Sequence, residues 1–501
     1  MTAFDTKPDS EKSLKISSLV KFNDVHPRDM TKDDWVDDFN SFYDTMRDCY
    51  PYFWIKERVL GYNWLDLKDR YMERLEAAEG MQDILAVFWN AVTALQDTHT
   101  SIWLPRWMSY HFREDSYFQQ REPYKTIFSD EVRGANEYWK PVLEDIYTER
   151  NGLNYEVLIL YTKGNYVIVD GHGSWKDRYG YGTKIIAVNG IPIDSAIRST
   201  YEKDIIKLDF DKNKPYQLSI TPKLFGISAV FTIEIAGGEM RDVSFDASTD
   251  YRYNNAFNYP SEWLTTRVWP DEKIAYIRFR NFELDNVDEG MHDFLIAFYT
   301  KVKDYDHLIV DVRGNSGGWN QVWVDNIIAP LIKRKTTSRM YVGFRNGAYV
   351  NLFRQEAGVG KAVTKESFNY LPPEVLTDDF TIYDGSITVE PTDIVDFHAS
   401  ISILIDNSTW SASAALALYC KETNFAKLYG TATKGEAVSS GTIFYVLPNS
   451  KIVIRFNPCM GIDYSGRPCE EVKVQPDVYY ESDIRNQDEL IEYIKEIRKK
   501  Q

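Results

Sequence analysis

Ile401–Tyr419 reads ISILIDNSTWSASAALALY, and its change of texture decides the fold. Ile401–Ile405 is apolar and rich in β-branched residues, the pattern of a buried strand. Asp406 to Thr409 are turn formers. From Ala412 the residues become small and helix-forming. Ser411 therefore stands where a helix begins, and unpaired N–H groups there point at whatever lies beside them. A hydroxyl so placed can attack a carbonyl and have the resulting charge held by those groups. It can equally be an N-cap, for which serine is a favoured residue.

The same strand–helix alternation extends back from this stretch. KIAYIRFRNF (273–282) reads as a strand, MHDFLIAFYTKVK (291–303) as a helix and DHLIVDV (306–312) as a fully apolar strand. WNQVWVDNIIAPLIKR (319–334) reads as a further helix, and ELIEYIKEIRKK (489–500) as the last one. Alternation of this kind implies an α/β layer with parallel strands. Upstream the pattern differs. Residues 33–95 are helical, with a break at Tyr50–Pro51, and a short strand follows at 100–104. Glu156 to Val169 reads as a hairpin turning at Lys163–Gly164. Gly182 to Ile197 is a strand, an Asn189–Gly190 turn and a helix start, with further strands in YQLSITP (216–222) and AVFTIEIAG (229–237). Residues 105–154 fit no clear period.

Composition narrows the function. The chain has 501 residues and a net charge of −17, which argues against nucleic-acid binding and against docking on anionic lipid. No apolar run reaches the ~20 residues of a membrane span. The N-terminus, MTAFDTKPDSEKSLKISS, lacks the apolar region of a signal peptide. The expectation is a cytoplasmic chain, or an extracytoplasmic one whose export signal has been removed. Four cysteines in so long a chain are not a disulfide framework, and reduced thiols are expected. Neither CxxC nor HExxH occurs, so no metal or other cofactor is expected.

Four segments carry candidate chemistry. LIVDVRGNSGGWN (308–320) runs from a strand into a glycine loop that can bring backbone N–H groups close to a ligand. It also holds a formal GxSxG centred on Ser316, the hydrolase nucleophile-elbow pattern, for which His398 is the one downstream histidine. ALQDTHTSIWL places His99 between a helix and a strand. YSGRPCEEVKVQPDVYY places Glu470 and Glu471 ahead of a strand.

Together these segments resemble the C-terminal processing (tail-specific) peptidases and the wider group containing the tricorn core. The matching phrases are Leu95, Asp97, His99 and Thr100; then Gly182, Ile185, Val188, Asn189 and Gly190. Asp311, Arg313, Asn315, Gly317 and Gly318 follow, then Thr409, Ser411, Ala412 and Ser413, and last Gly466, Pro468, Glu470, Pro476 and Asp477. The resemblance implies an α/β multidomain protein: a helical N-terminal domain (23–105) after a disordered arm (1–22), a connector (106–155), a PDZ-like β domain (156–250) and a crotonase-like α/β protease core (265–501). It implies a serine endopeptidase with Ser411 as nucleophile, His99 as base and Glu470 as orienting acid. Gly317, Gly318 and Ala412 would form the oxyanion hole. Tail-specific enzymes use a lysine where this chain has Glu436, two residues after Lys434, so a Ser–His–Glu arrangement is favoured over Ser–Lys. Glu436, Lys434 and Thr98 remain as auxiliary candidates, with Glu436 an alternative acid. The expected partner is a polypeptide substrate, with no nucleic acid and no membrane segment; a homo-oligomer is left open. Two other readings stand beside this one: an idle module binding a peptide or hydrophobic ligand, and an esterase using Ser316.

Overall fold

A computed structural model describes residues 21–111, 122–235, 237–253, 259–284, 289–357, 362–365, 371–437 and 441–500. The arm expected over 1–22 lies almost wholly outside these residues. The chain is a mixed α/β multidomain protein with a helical N-terminal region and several sheets.

The helical region starts at a capping box, in which Thr31 and Asp34 each hold the other's backbone N–H. The helix Lys32–Cys49 ends before Pro51, as the missing N–H requires. Phe53–Leu60, Lys68–Ala77 and Met81–Thr93 follow. They enclose an aromatic core that includes Trp35, Phe39, Phe42, Trp64 and Phe88. Residues 105–154, unassigned from sequence, contain the 23-residue helix Asp130–Gly152 with Pro141 inside it. Its buried face includes Val132, Trp139, Leu143 and Ile146.

A second unit forms around the sheet Met240–Ser244, Val230–Glu234, Lys184–Val188, Asn165–Gly171, Val157–Thr162 and Ser219–Ile220, in that spatial order. Its hairpins turn at Lys163–Gly164 and Asn189–Gly190, all four residues having positive φ, as such two-residue turns demand. The strand read over 216–222 is interrupted: Lys214–Tyr216 and Ser219–Ile220 are separate, and Pro222 opens a helical turn.

The third unit carries a six-stranded sheet: Leu264–Trp269, Ile274–Phe279, His307–Asp311, Ser400–Ile405, Lys427–Gly430 and Val478–Tyr479. The first pair is antiparallel and the others are parallel. Apolar side chains from both faces of the central strands are buried, which is why they read as unbroken apolar runs. The two central strands run in parallel, so the loops after Asp311 and after Ile405 emerge side by side at one edge of the sheet. This is where α/β sheets place ligands. The helix read over 319–334 is shorter than expected. Asn320–Trp323 passes into a π-helical turn, Val324–Ile328, and the chain then meets Pro330. All four cysteines are free and buried. Among the described residues, no helix is long and apolar enough to cross a membrane.

Candidate active site

Ser411 sits at the N-cap of Ala412–Thr423 with φ 57° and ψ −123°, a conformation non-glycine residues rarely hold. Its side chain makes no capping hydrogen bond. The turn before it is fixed by Asp406, whose Oδ1 accepts the N–H groups of Ser408 (2.9 Å), Thr409 (2.9 Å) and Gly314 (3.0 Å). Asn315 ties the two loops together: its carbonyl accepts Trp410 N–H at 3.0 Å and the Ser413 hydroxyl at 2.7 Å.

The glycine loop lies directly against Ser411. A Cβ on Gly317 (φ 92°) would stand 2.7 Å from Ser411 Cβ and 2.9 Å from Ala412 N, so only glycine fits. The Gly317 N–H, expected as an oxyanion donor, is already given to Asn315 Oδ1 at 2.8 Å. The N–H groups of Gly318 and Ala412 have no backbone acceptor among the described residues.

His99 follows the helix Met81–Thr93 in a tight loop that Asp97 holds. Asp97 Oδ1 accepts His99 N–H at 2.9 Å, and Oδ2 accepts the Thr100 hydroxyl at 2.6 Å. Arg455 donates to the His99 and Thr98 carbonyls at 3.0 and 3.3 Å. That guanidinium comes from Val453–Phe456, the strand paired antiparallel with Ser101–Ile102. The imidazole is buried, and its ring centroid lies 4.5 Å from that of Trp410, the residue before Ser411.

Glu436 provides the carboxylate that meets His99 Nδ1. Its other oxygen, Oε1, accepts the Thr98 hydroxyl at 3.0 Å, while the Trp410 indole N–H donates at 3.1 Å to Oε2, the oxygen that meets His99. Glu436 is itself held at φ 55°, next to Gly435 at φ 120°. The Gly435 carbonyl accepts Ser411 N–H at 3.4 Å. Ser411, Trp410, His99, Thr98 and Glu436 thus form one connected group.

Glu470, read as the acid from sequence, has other partners. Its two oxygens take Lys56 and Lys473 ammonium groups at 2.7 Å each, and no hydrogen bond or ion pair joins it to His99. Burial alone would raise its pKa, but Lys473 and Lys56 hold it below the usual carboxylate range. Lys434 places its ammonium 4.7 Å from the centre of the Trp410 ring. Burial, seconded by Arg455, lowers the His99 pKa, with Lys434 acting in the same direction and Asp97 and Glu470 opposing. The imidazole is therefore neutral at pH 7, the form that can accept a proton.

Ser316 is exposed, and the GxSxG loop there does not form an elbow, since the next helix starts only at Asn320. His398 precedes the strand whose far end leads to Ser411, while Ser316 follows the far end of the parallel neighbour. The two lie at opposite edges of the sheet, so His398 cannot serve Ser316. His398 instead pairs at the surface with Asp396 and Lys333. Arg313 forms a buried pair with Asp311 at 2.7 Å and anchors the loop. The ligand-type atoms of Asp97, His99 and Glu436 lie within 4.8 Å of one another, close enough to share a metal ion. Their oxygens already accept the loop's own N–H and hydroxyl groups, and Arg455 brings a positive charge beside them.

Residues 273–480 match the description of peptidase family S41. The core belongs to the S41 peptidases. The chain is accordingly a serine peptidase, and the matched span contains Ser411, Glu436, Glu470 and the glycine loop but not His99. Two solved structures share the fold of this S41 peptidase. Mature CPAF complexed with lactacystin is 14% identical, covers 93% of this chain and 98% of its own, and gives a TM-score of 0.56. Mature CPAF alone is 12% identical, covers 93% and 97%, and gives 0.56. No curated protein sequence matches the chain.

Proposed function

We propose that this S41 peptidase is an endopeptidase that cleaves polypeptides through an acyl-enzyme on Ser411, with His99 as base and Glu436 as orienting acid. The observation that carries the assignment is the Glu436 carboxylate on His99 Nδ1, braced by Thr98 and Trp410. With Nδ1 so engaged, the neutral imidazole keeps Nε2 free to take a proton. In the first step Ser411 Oγ attacks the scissile carbonyl and its proton passes to His99, which then protonates the leaving amine. Water attacks the acyl-enzyme by the reverse path. Glu436 fixes the tautomer and stabilises the imidazolium. The Gly318 and Ala412 N–H groups hold the oxyanion, each such donor contributing about 3 kcal/mol. Gly317 shapes the loop that aims them. Glu470 acts with Lys56 and Lys473 rather than on the imidazole.

The domain division drawn from sequence is kept: residues 23–105, 106–155, a PDZ-like unit at 156–250 and the protease core at 265–501. The PDZ-like unit would bind an extended peptide by adding a strand to its sheet. The test is a fluorophosphonate probe with casein cleavage. Wild type and Ser316→Ala label and cleave, whereas Ser411→Ala does neither. Glu436→Gln lowers kcat by at least 100-fold, and a larger loss in Glu470→Gln would return the acid role to Glu470.

A further inference from the structure

Behind the nucleophile loop lies a cavity of about 40 Å³ whose charges do not balance. Four ammonium side chains line it, Lys56, Lys207, Lys434 and Lys473, against one carboxylate, Glu470. Lys56 and Lys473 share Glu470 between them. Lys207 Nζ donates to the Asn407 carbonyl at 2.7 Å. Lys434 Nζ has only the Trp410 ring face, with no hydrogen-bond acceptor among the described residues. The nearby carboxylates are committed elsewhere: Asp97 to the His99 loop, Asp406 to the Ser411 turn and Asp204 to Lys223 and Ile205 N–H. Burial lowers the pKa of Lys207 to about 7 and that of Lys434 to about 8, the response of cations that lack an anion.

The cavity is lined by neighbours of the proposed reacting groups, not by Ser411 or His99 themselves. Thr98, next to His99, lines it, and Lys434 lies over the residue preceding Ser411. Its volume suits a carboxylate head, a water taking about 30 Å³ in the liquid. We propose that this cavity is a subsite for a carboxylate of the polypeptide substrate, bound by Lys434 and Lys207 against the turn that leads to Ser411. The proposal rests on the peptidase reading and adds the chemistry that selects the substrate. The carboxylate comes either from an acidic side chain near the scissile bond or from the end of the substrate chain.

Matched peptides test it: Glu against Gln at each of three positions on either side of the scissile bond, and free-acid against amide ends. In wild type one carboxylate partner is expected to raise kcat/KM by about tenfold or more. A preference for Glu at one position identifies a side chain, and a preference for the free acid identifies the chain end. Lys434→Met and Lys207→Met should bring the ratio toward one, and Lys434→Arg should keep it. The same pairs, fluorescently labelled, are measured for binding to the Ser411→Ala protein. Carboxylate-dependent binding without turnover in wild type would support the subsite and sink the peptidase reading. Equal cleavage and equal affinity across every wild-type pair overturn the subsite, as does a ratio left unchanged by both Met variants.

Discussion

At Ser411 the backbone is held at φ 57°, where a Cβ is strained by about 1–3 kcal/mol. Glycine suffers no such penalty, so Ser411→Gly should be inactive yet more stable than Ser411→Ala. Urea midpoints of the two variants check this, and a higher midpoint for the alanine variant would refute the strain. His99 gives a pH prediction with a definite sign. Burial disfavours the charged ring, so the base stays neutral to lower pH than a free imidazole. The acidic limb of kcat/KM is therefore expected below pH 6.5, activity falling as pH drops through it. A limb at pH 7 or above would contradict this. Trp410 supplies one indole N–H to Glu436 and one ring face to His99. Trp410→Phe keeps the face and drops the N–H, so kcat should fall about tenfold, near the value of one hydrogen bond to a charged group, with KM little changed.

At the scale of elements, the loops matter more than the strands they extend. The central strands were legible because a strand covered on both faces must be apolar throughout. Ser411, the glycine loop and His99 stood out because each sits at a change of period marked by turn residues, and the family resemblance is what joined them into one candidate site. The preference for Glu470 over Glu436 rested on the resemblance alone, since neither Glu436 in TKGEA nor the Glu470–Glu471 pair carries a pattern that reveals its partners. What separates them is a Gly435–Glu436 backbone turn with positive φ at both residues and a long-range approach to Thr98 and His99. The lysines around Glu470 were invisible for the same reason. Helix Asp130–Gly152 escaped because aromatic residues and Pro141 blur its apolar stripe. The glycine loop yields its own prediction. Gly317→Ala forces a Cβ into Ser411 Cβ and the Trp410 carbonyl. Fluorophosphonate labelling should slow by at least 100-fold, the scale of a lost oxyanion donor, while far-ultraviolet circular dichroism stays that of the wild type.

Across the whole molecule, His99 and Glu436 come from distant parts of the chain, and specific contacts bring them together. Asp38, on the first helix, is fully buried and accepts the N–H groups of Asn449 and Ser450 at 2.7 and 2.8 Å. Those residues lead into the strand whose Arg455 holds the His99 loop. Asp38→Ala leaves two buried amides unpaired, which should cost about 2–5 kcal/mol. Activity should fall with stability, although residue 38 belongs to no catalytic group. Unchanged activity in a destabilised Asp38→Ala protein would show that the His99 loop needs no such support.

This long-range assembly also has a consequence in time. On a ribosome adding about 5–20 residues per second, His99 emerges about 17–70 s before Glu436. Under the proposed roles, throughout that interval the growing chain holds a histidine without its acid, and for most of it also lacks the serine. The protein is thus synthesised in a harmless form and becomes a protease only when its last third has folded back onto its first.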